Sequence, residues 1–301
     1  DILDRDALIS AHWSAVQPSR LCTVIANAAG DSVSTIEHVM AALAGCGIHN
    51  ALIEIDGPEV PILDGSAAPF VEGFLARGLI EQSAPVRAIR VLQTVEVREG
   101  DAVARLEPSD MLEISFEIDF DATAIGKQSR QLNMSNGAFV RELSDSRTFC
   151  LQADVDAMRA NGLALGGTFD NAVVFEGDQV LSPGGLRHVD EPVRHKMLDA
   201  MGDLALAGGP ILGLYTGIRA GHAHHATSFE FGDLSHQRAD RAGGAGNQHG
   251  FAGLRLADLE QAKVRRQPGH AEHTQRRRNR GQVRIQLPHA LAIGQRVSLP
   301  A

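Results

Sequence analysis

Twice along this chain the same local order appears: a helix-forming stretch with a histidine near its start, a glycine stop, then an apolar run. In the first copy His38 is followed by Gly45 and Gly47 and by residues 50–55. In the second, His195 is followed by Gly208-Gly209 and by residues 211–218. A helix and a strand can each bury their apolar side only against another element. A repeated helix-then-strand unit therefore points to an α+β fold built by duplication.

Periodicity and turn residues extend this reading. They predict strands at 21–26, 50–55, 89–97, 102–106, 112–118 and 211–218, and helices at 34–44, 67–76 and 193–206. Asp190 stands as the N-cap of the last helix, with Pro192 in its first turn. Polar residues 81–85 form a linker, giving units at 1–82 and 86–223. The 301 residues suffice for two domains of roughly 100–200 residues each. The apolar run 204–218 is 15 residues long, short of the about 20 needed to cross a bilayer. The N-terminus has neither a signal pattern nor a Met, so the chain is expected to begin inside a longer one. Cys22, Cys46 and Cys150 cannot all pair and form no C-x-x-C, which fits a reducing cytoplasm.

Net charge separates the last part of the chain from the rest. Residues 223–301 hold 12 of the 28 Lys+Arg but 6 of the 37 Asp+Glu, a net of +6 against −15 for residues 1–222. The Arg276-Arg277-Arg278-Asn279-Arg280 cluster is compatible with nucleic-acid binding. Sparse aromatics and weak periodicity fit disorder better, and a shifted reading frame gives the same bias toward Arg, Ala, Gly, His and Gln. The expectation for 224–301 is thus irregular or frameshifted sequence, with no nucleic-acid partner.

Three places can carry chemistry, each with a plainer alternative. His195 and Asp199 are four apart and project from one helix face. They are either a surface pair or two ligands of one zinc. Ser34-x-x-Glu37 reads as a capping box. Alternatively His38 is a third ligand and Glu37 a general base beside it, as in H-E-x-x-H enzymes. His222, after the last strand, is either a loop residue or a general acid oriented by Asp203. Spacing alone cannot show that the two helices meet.

Longer motifs occur in order: Ser34-Thr-Ile-Glu-His-Val-Met-Ala-Ala-Leu-Ala-Gly, Pro61-Ile-Leu-Asp-Gly-Ser-Ala-Ala-Pro-Phe70, Ser146-Arg-Thr-Phe149, Gly162-Leu-Ala-Leu-Gly-Gly167, Val193-Arg-His-Lys-Met-Leu-Asp-Ala-Met-Gly-Asp-Leu204 and Gly221-His-Ala223. Over residues 1–223 the chain closely resembles the zinc-dependent UDP-3-O-acyl-N-acetylglucosamine deacetylases of lipid A biosynthesis. The resemblance implies two related α+β domains, each a sheet with a helix layer, the helices packed between the sheets. It implies zinc on His38, His195 and Asp199, with Glu37 as base, His222 as acid, Asp203 orienting it and Thr148 polarising the amide oxygen. Lys196, Arg219 and Phe149 fall at substrate-contact positions, and residues 162–171 belong to the insert that shelters the acyl chain. With so acidic a body, Lys196 and Arg219 are expected to hold the diphosphate.

The resemblance further implies a cytoplasmic enzyme of a Gram-negative bacterium, taken as a monomer, whose partner is the acylated sugar nucleotide. It also implies an earlier glycine-rich segment and a terminal helix that this sequence lacks. The edge of the first sheet and the C-terminal packing are therefore expected to be incomplete.

Overall fold

A computed structural model describes residues 7–19, 21–162, 164 and 166–221, together with the strands Leu259–Gln261, Val283–Gln286 and Gln295–Ser298. The architecture is α+β. Five α-helices are described: α1 (Glu37–Gly45), α2 (Ala68–Arg77), α3 (Ala138–Glu142), α4 (Gln152–Ala160) and α5 (Glu191–Ala205). None of the described helices is long and apolar enough to cross a membrane.

Helix α1 forms because Val-Met-Ala-Ala-Leu-Ala is rich in good helix formers. It stops where Gly47 takes a left-handed φ of 71° and the Ile48 N–H bonds back to the Leu43 carbonyl at 2.9 Å. Glu37 through Leu43 are all buried, as is every position of α5 from Glu191 to Leu204 except Arg194. Helices sealed on every side lie inside a layered fold. The two pack against each other so closely that a Cβ on Gly202 would stand 2.2 Å from the Glu37 carbonyl oxygen. Glycine is the residue that permits this approach.

Sheets flank the helix pair. The first runs in the order Ala7–Ser10, Val283–Gln286, Ala51–Ile55, Gln295–Ser298. In the second, Ile211–Gly221 is central, parallel to Leu112–Phe120 and antiparallel to Ala102–Glu107. Lys127–Asn133 pairs with Leu112–Phe120, Val95–Glu99 with Ala102–Glu107, and Ile89–Val91 lies between Ile211–Gly221 and Leu259–Gln261. One apolar core joins them, from Ile9 and Ile53 through Val39, Met40, Met197 and Leu198 to Ile114, Phe116 and Tyr215. Each such side chain contributes about 1.5–3 kcal/mol when fully buried. A small sheet of Phe149–Leu151, Val173–Glu176 and Gln179–Val180, with α4 against it, branches from this frame.

Several expectations need correction. The first helix begins at Glu37, three residues late, because Thr35 adopts a left-handed φ of 57° and its hydroxyl donates to Glu59 at 2.6 Å. The 89–97 run divides into two strands around Leu92-Gln93-Thr94. Leu259–Gln261, Val283–Gln286 and Gln295–Ser298, expected to be irregular, are strands. Val283-Arg-Ile-Gln alternates apolar and polar residues, a two-residue period that suits pairing, whereas Gln295-Arg-Val-Ser has one apolar residue, Val297. Both pair with Ala51–Ile55 and so occupy its two open edges. The rest of residues 222–301, His222 and the Arg276–Arg280 cluster included, lies outside the described residues.

Candidate metal centre

Helices α1 and α5 bring together the three side chains that spacing could not join. His38, His195 and Asp199 are buried, and one ligand atom from each lies within 4.8 Å of the others. His195 Nε2 is 3.2 Å and His38 Nε2 3.7 Å from the same Asp199 oxygen, Oδ1. Two ligands at about 2.1 Å on a tetrahedral zinc stand about 3.4 Å apart. The imidazole rings meet edge to face, centroids 5.0 Å apart.

The protonation of His195 makes this spacing informative. Its Nδ1 lies 2.9 Å from the Ser146 carbonyl oxygen. A carbonyl only accepts, so Nδ1 carries the proton and donates. Burial lowers the pKa of His195 despite the Asp199 charge. With Nδ1 donating to Ser146, Nε2 faces the Asp199 carboxylate oxygen at 3.2 Å. Both atoms are of the kind that ligate a metal ion. Burial also raises the Asp199 pKa, but His195, the Lys196 ammonium and His38 outweigh it and hold the carboxyl below its ordinary range. Burial and the neighbouring His195 lower His38 to about 4.

Glu37 is not a capping residue. No side-chain cap bond exists at the start of α1, and the Ser34 hydroxyl donates to the Pro58 carbonyl instead. Glu37 Oε1 accepts the Thr23 N–H at 2.7 Å, while Oε2 is buried without a partner among the described residues. Burial first, then the Asp199 charge, pushes its pKa up to about 8. A carboxyl poised near neutrality suits proton transfer. Asp203 is also buried, accepts the Thr23 hydroxyl at 2.8 Å, and is raised well above its ordinary value by burial and by Glu37.

The remaining expected residues fall as follows. Thr148 is half-buried, its N–H donating to Gly65 at 2.7 Å and its carbonyl accepting from Val173 at 2.8 Å. Phe149 is buried edge-on to Phe120, Phe175 and His195, with the Lys196 ammonium 5.5 Å from its ring centre. Lys196 is 2% exposed and donates to Asp199 Oδ2 at 3.0 Å. Its charge is engaged by the carboxylate it neutralises. Arg219 is half-buried and near enough to Lys196 to disfavour its charged form, behind the larger effect of burial. Residues 163 and 165 of the expected acyl insert lie outside the described residues. Sequence reasoning missed Thr23 and Ser146. Thr23 lies 14 residues from Glu37 and 180 from Asp203, and no local pattern links them.

Residues 2–230 match the family model described as UDP-3-O-acyl N-acetylglycosamine deacetylase. The chain is similar to the UDP-3-O-acyl-N-acetylglucosamine deacetylase of Phenylobacterium zucineum, at 51% identity over 74% of this chain and 76% of that protein. Proteins of the same description from an Anaeromyxobacter species and from Xanthomonas axonopodis are each 48% identical. The first match covers 73% of this chain and 72% of the relative, the second 71% of each.

Proposed function

The chain belongs to the UDP-3-O-acyl N-acetylglycosamine deacetylase family, and we propose that it hydrolyses the N-acetyl group of UDP-3-O-(3-hydroxyacyl)-N-acetylglucosamine using one zinc. The products are acetate and the free amine of the acylated sugar nucleotide, a step of lipid A biosynthesis carried out in the cytoplasm of a Gram-negative bacterium. The observation that carries the reading is the convergence of His38, His195 and Asp199, with the Nε2 atoms of both histidines turned to the same Asp199 oxygen.

His38, His195 and Asp199 are the proposed ligands. A bound zinc supplies a Lewis acid that brings the pKa of water from 15.7 toward about 7. Glu37 takes the proton of the attacking water. The Thr23 N–H secures its Oε1, which leaves the unpartnered Oε2 for that proton. Lys196 keeps Asp199 ionised, so Asp199 serves as a ligand and not as a base. Thr148 polarises the acetamide oxygen as negative charge grows on it. When the C–N bond breaks, the leaving nitrogen gains a proton. His222 is assigned to that stage, by resemblance alone.

Metal analysis and acetate release test the reading. The protein should hold one zinc per chain, and His38→Ala, His195→Ala and Asp199→Ala should each lose it. One zinc retained in any of the three sinks the ligand set. Glu37→Ala should keep zinc but lose deacetylation by ~10²–10⁴-fold, the usual range for removing a general base. Undiminished turnover there removes Glu37 from the chemistry.

A further inference from the structure

Glu191, His195, Asp199 and Asp203 lie four apart down one face of α5, and the uppermost has no part in the site described so far. Glu191 is 0% exposed. Its Oε1 accepts the Arg147 backbone N–H at 2.9 Å and Arg147 Nε at 2.9 Å. Its Oε2 accepts Arg147 Nη2 at 3.1 Å and the Arg187 backbone N–H at 2.7 Å. Arg147 is itself buried, with Nη2 also donating to the Gly185 carbonyl.

The Arg147 N–H and the Ser146 C=O belong to one planar peptide group. On one side that peptide donates to Glu191. On the other it accepts the His195 Nδ1 proton, from one helical turn further along α5. We propose that Glu191 is a positioning residue for the metal centre: acting through the Ser146–Arg147 peptide, it fixes the tautomer and orientation of His195. A carboxylate on the N–H polarises the peptide and makes its carbonyl a stronger acceptor for the Nδ1 proton. Partners of this kind behind a metal-bound histidine fix the ring and raise its basicity. The same clamp holds Arg147 directly before Thr148, whose N–H is tied to Gly65. This inference rests on the zinc reading above.

Glu191→Gln weakens the clamp but leaves Arg147 charged in the interior, which can unfold the protein. Two further variants guard against that. Glu191→Asp keeps the charge one methylene short, and Glu191→Gln/Arg147→Met removes both charges together. Zinc affinity is measured by chelator competition on the folded variants, alongside kcat and KM for acetate release. The expected result is zinc binding weakened by ~10–100-fold, as for other partners behind metal-bound histidines. kcat should fall while KM stays within about twofold, the pattern of a lost transition-state contribution. Folded variants with unaltered zinc affinity and kcat would overturn the proposal and leave the zinc reading intact. Absence of zinc from the unsubstituted protein would instead overturn that reading, and the proposal with it. Failure of all three variants to fold would make Glu191 a folding element and likewise overturn the proposal.

Discussion

Helices α1 and α5 both supply the site, but they hold their side chains in different ways. On α5, His195 donates to Ser146, Asp199 accepts from Lys196, and Glu191 secures the peptide behind His195. On α1, Glu37 has one oxygen bonded and one without a partner, and His38 Nδ1 has none among the described residues. A buried polar atom without a partner costs about 1–3 kcal/mol. The α5 half is therefore set before any ligand arrives, whereas the α1 half carries groups that a ligand, water or substrate completes. The difference assigns geometry to α5 and reactivity to the start of α1.

Substitutions at the two ligating ends test this contrast most strongly. Asp199→Ala removes the carboxylate and leaves the Lys196 ammonium buried without its partner, which should cost the metal-free protein about 3–5 kcal/mol. His38→Ala removes a ring whose Nδ1 has no partner, and should cost only about 1 kcal/mol, the ordinary level for a point substitution. Both should lose zinc, so the comparison is made by urea unfolding with chelator present. Equal losses in the two variants would end the idea that one half is set and the other waits.

The same contrast explains what the sequence made legible. His195 and Asp199 could be paired from sequence because helical spacing is local. Neither the meeting of α1 with α5 nor the roles of His38 and Glu37 follow from spacing; they came from the ordered motifs. The capping-box alternative for Glu37 fails for a tertiary reason, since Thr23 takes the oxygen that the N-cap would have used. Lys127–Asn133 went unread because Lys-Gln-Ser-Arg-Gln-Leu-Asn has a single apolar residue. Its strand character comes from pairing with Leu112–Phe120. Of the paired segments after residue 258, Val283-Arg-Ile-Gln alternates but is short and lies among arginines, while Leu259–Gln261 and Gln295–Ser298 each hold one apolar residue and owe their strand character to pairing.

Thr23 offers a finer test of the α1 side, because one residue supports both Glu37 and Asp203. Thr23→Val keeps the backbone N–H to Glu37 Oε1 and removes only the hydroxyl donated to Asp203 Oδ1. Burial and the neighbouring Glu37 raise the Asp203 pKa well above its ordinary value. Stability should fall by about 1 kcal/mol, with zinc stoichiometry unchanged. Loss of zinc in this variant would mean that the Thr23 segment holds the metal centre itself and not just the carboxyls beside it.

The smallest expected effect lies where the two halves are tied at the surface. Asp64 accepts the Ser66 N–H at 3.0 Å, the Ser66 hydroxyl at 2.8 Å and Arg187 Nη2 at 2.9 Å. Burial raises its pKa, but the Ser66 bonds and the Arg187 guanidinium outweigh that and leave it lowered. A carboxyl lowered by folding binds fewer protons in the native state than in the unfolded chain between the two pKa values. Its contribution is therefore present above the unfolded value, about 3.9, and is lost as pH falls through the lower folded value. The Arg187 and Asp64 side chains are 35% and 31% exposed, so solvent screening limits the pair to about 1 kcal/mol or less. Asp64→Asn should thus lower the urea midpoint at pH 7 and approach the unsubstituted protein as pH falls below the lowered folded value, where both side chains are neutral. An offset that persists unchanged to low pH would show that Asp64 acts through its loop geometry alone. The charge tie between the Asp64 loop and the chain leading into α5 would then carry no measurable weight.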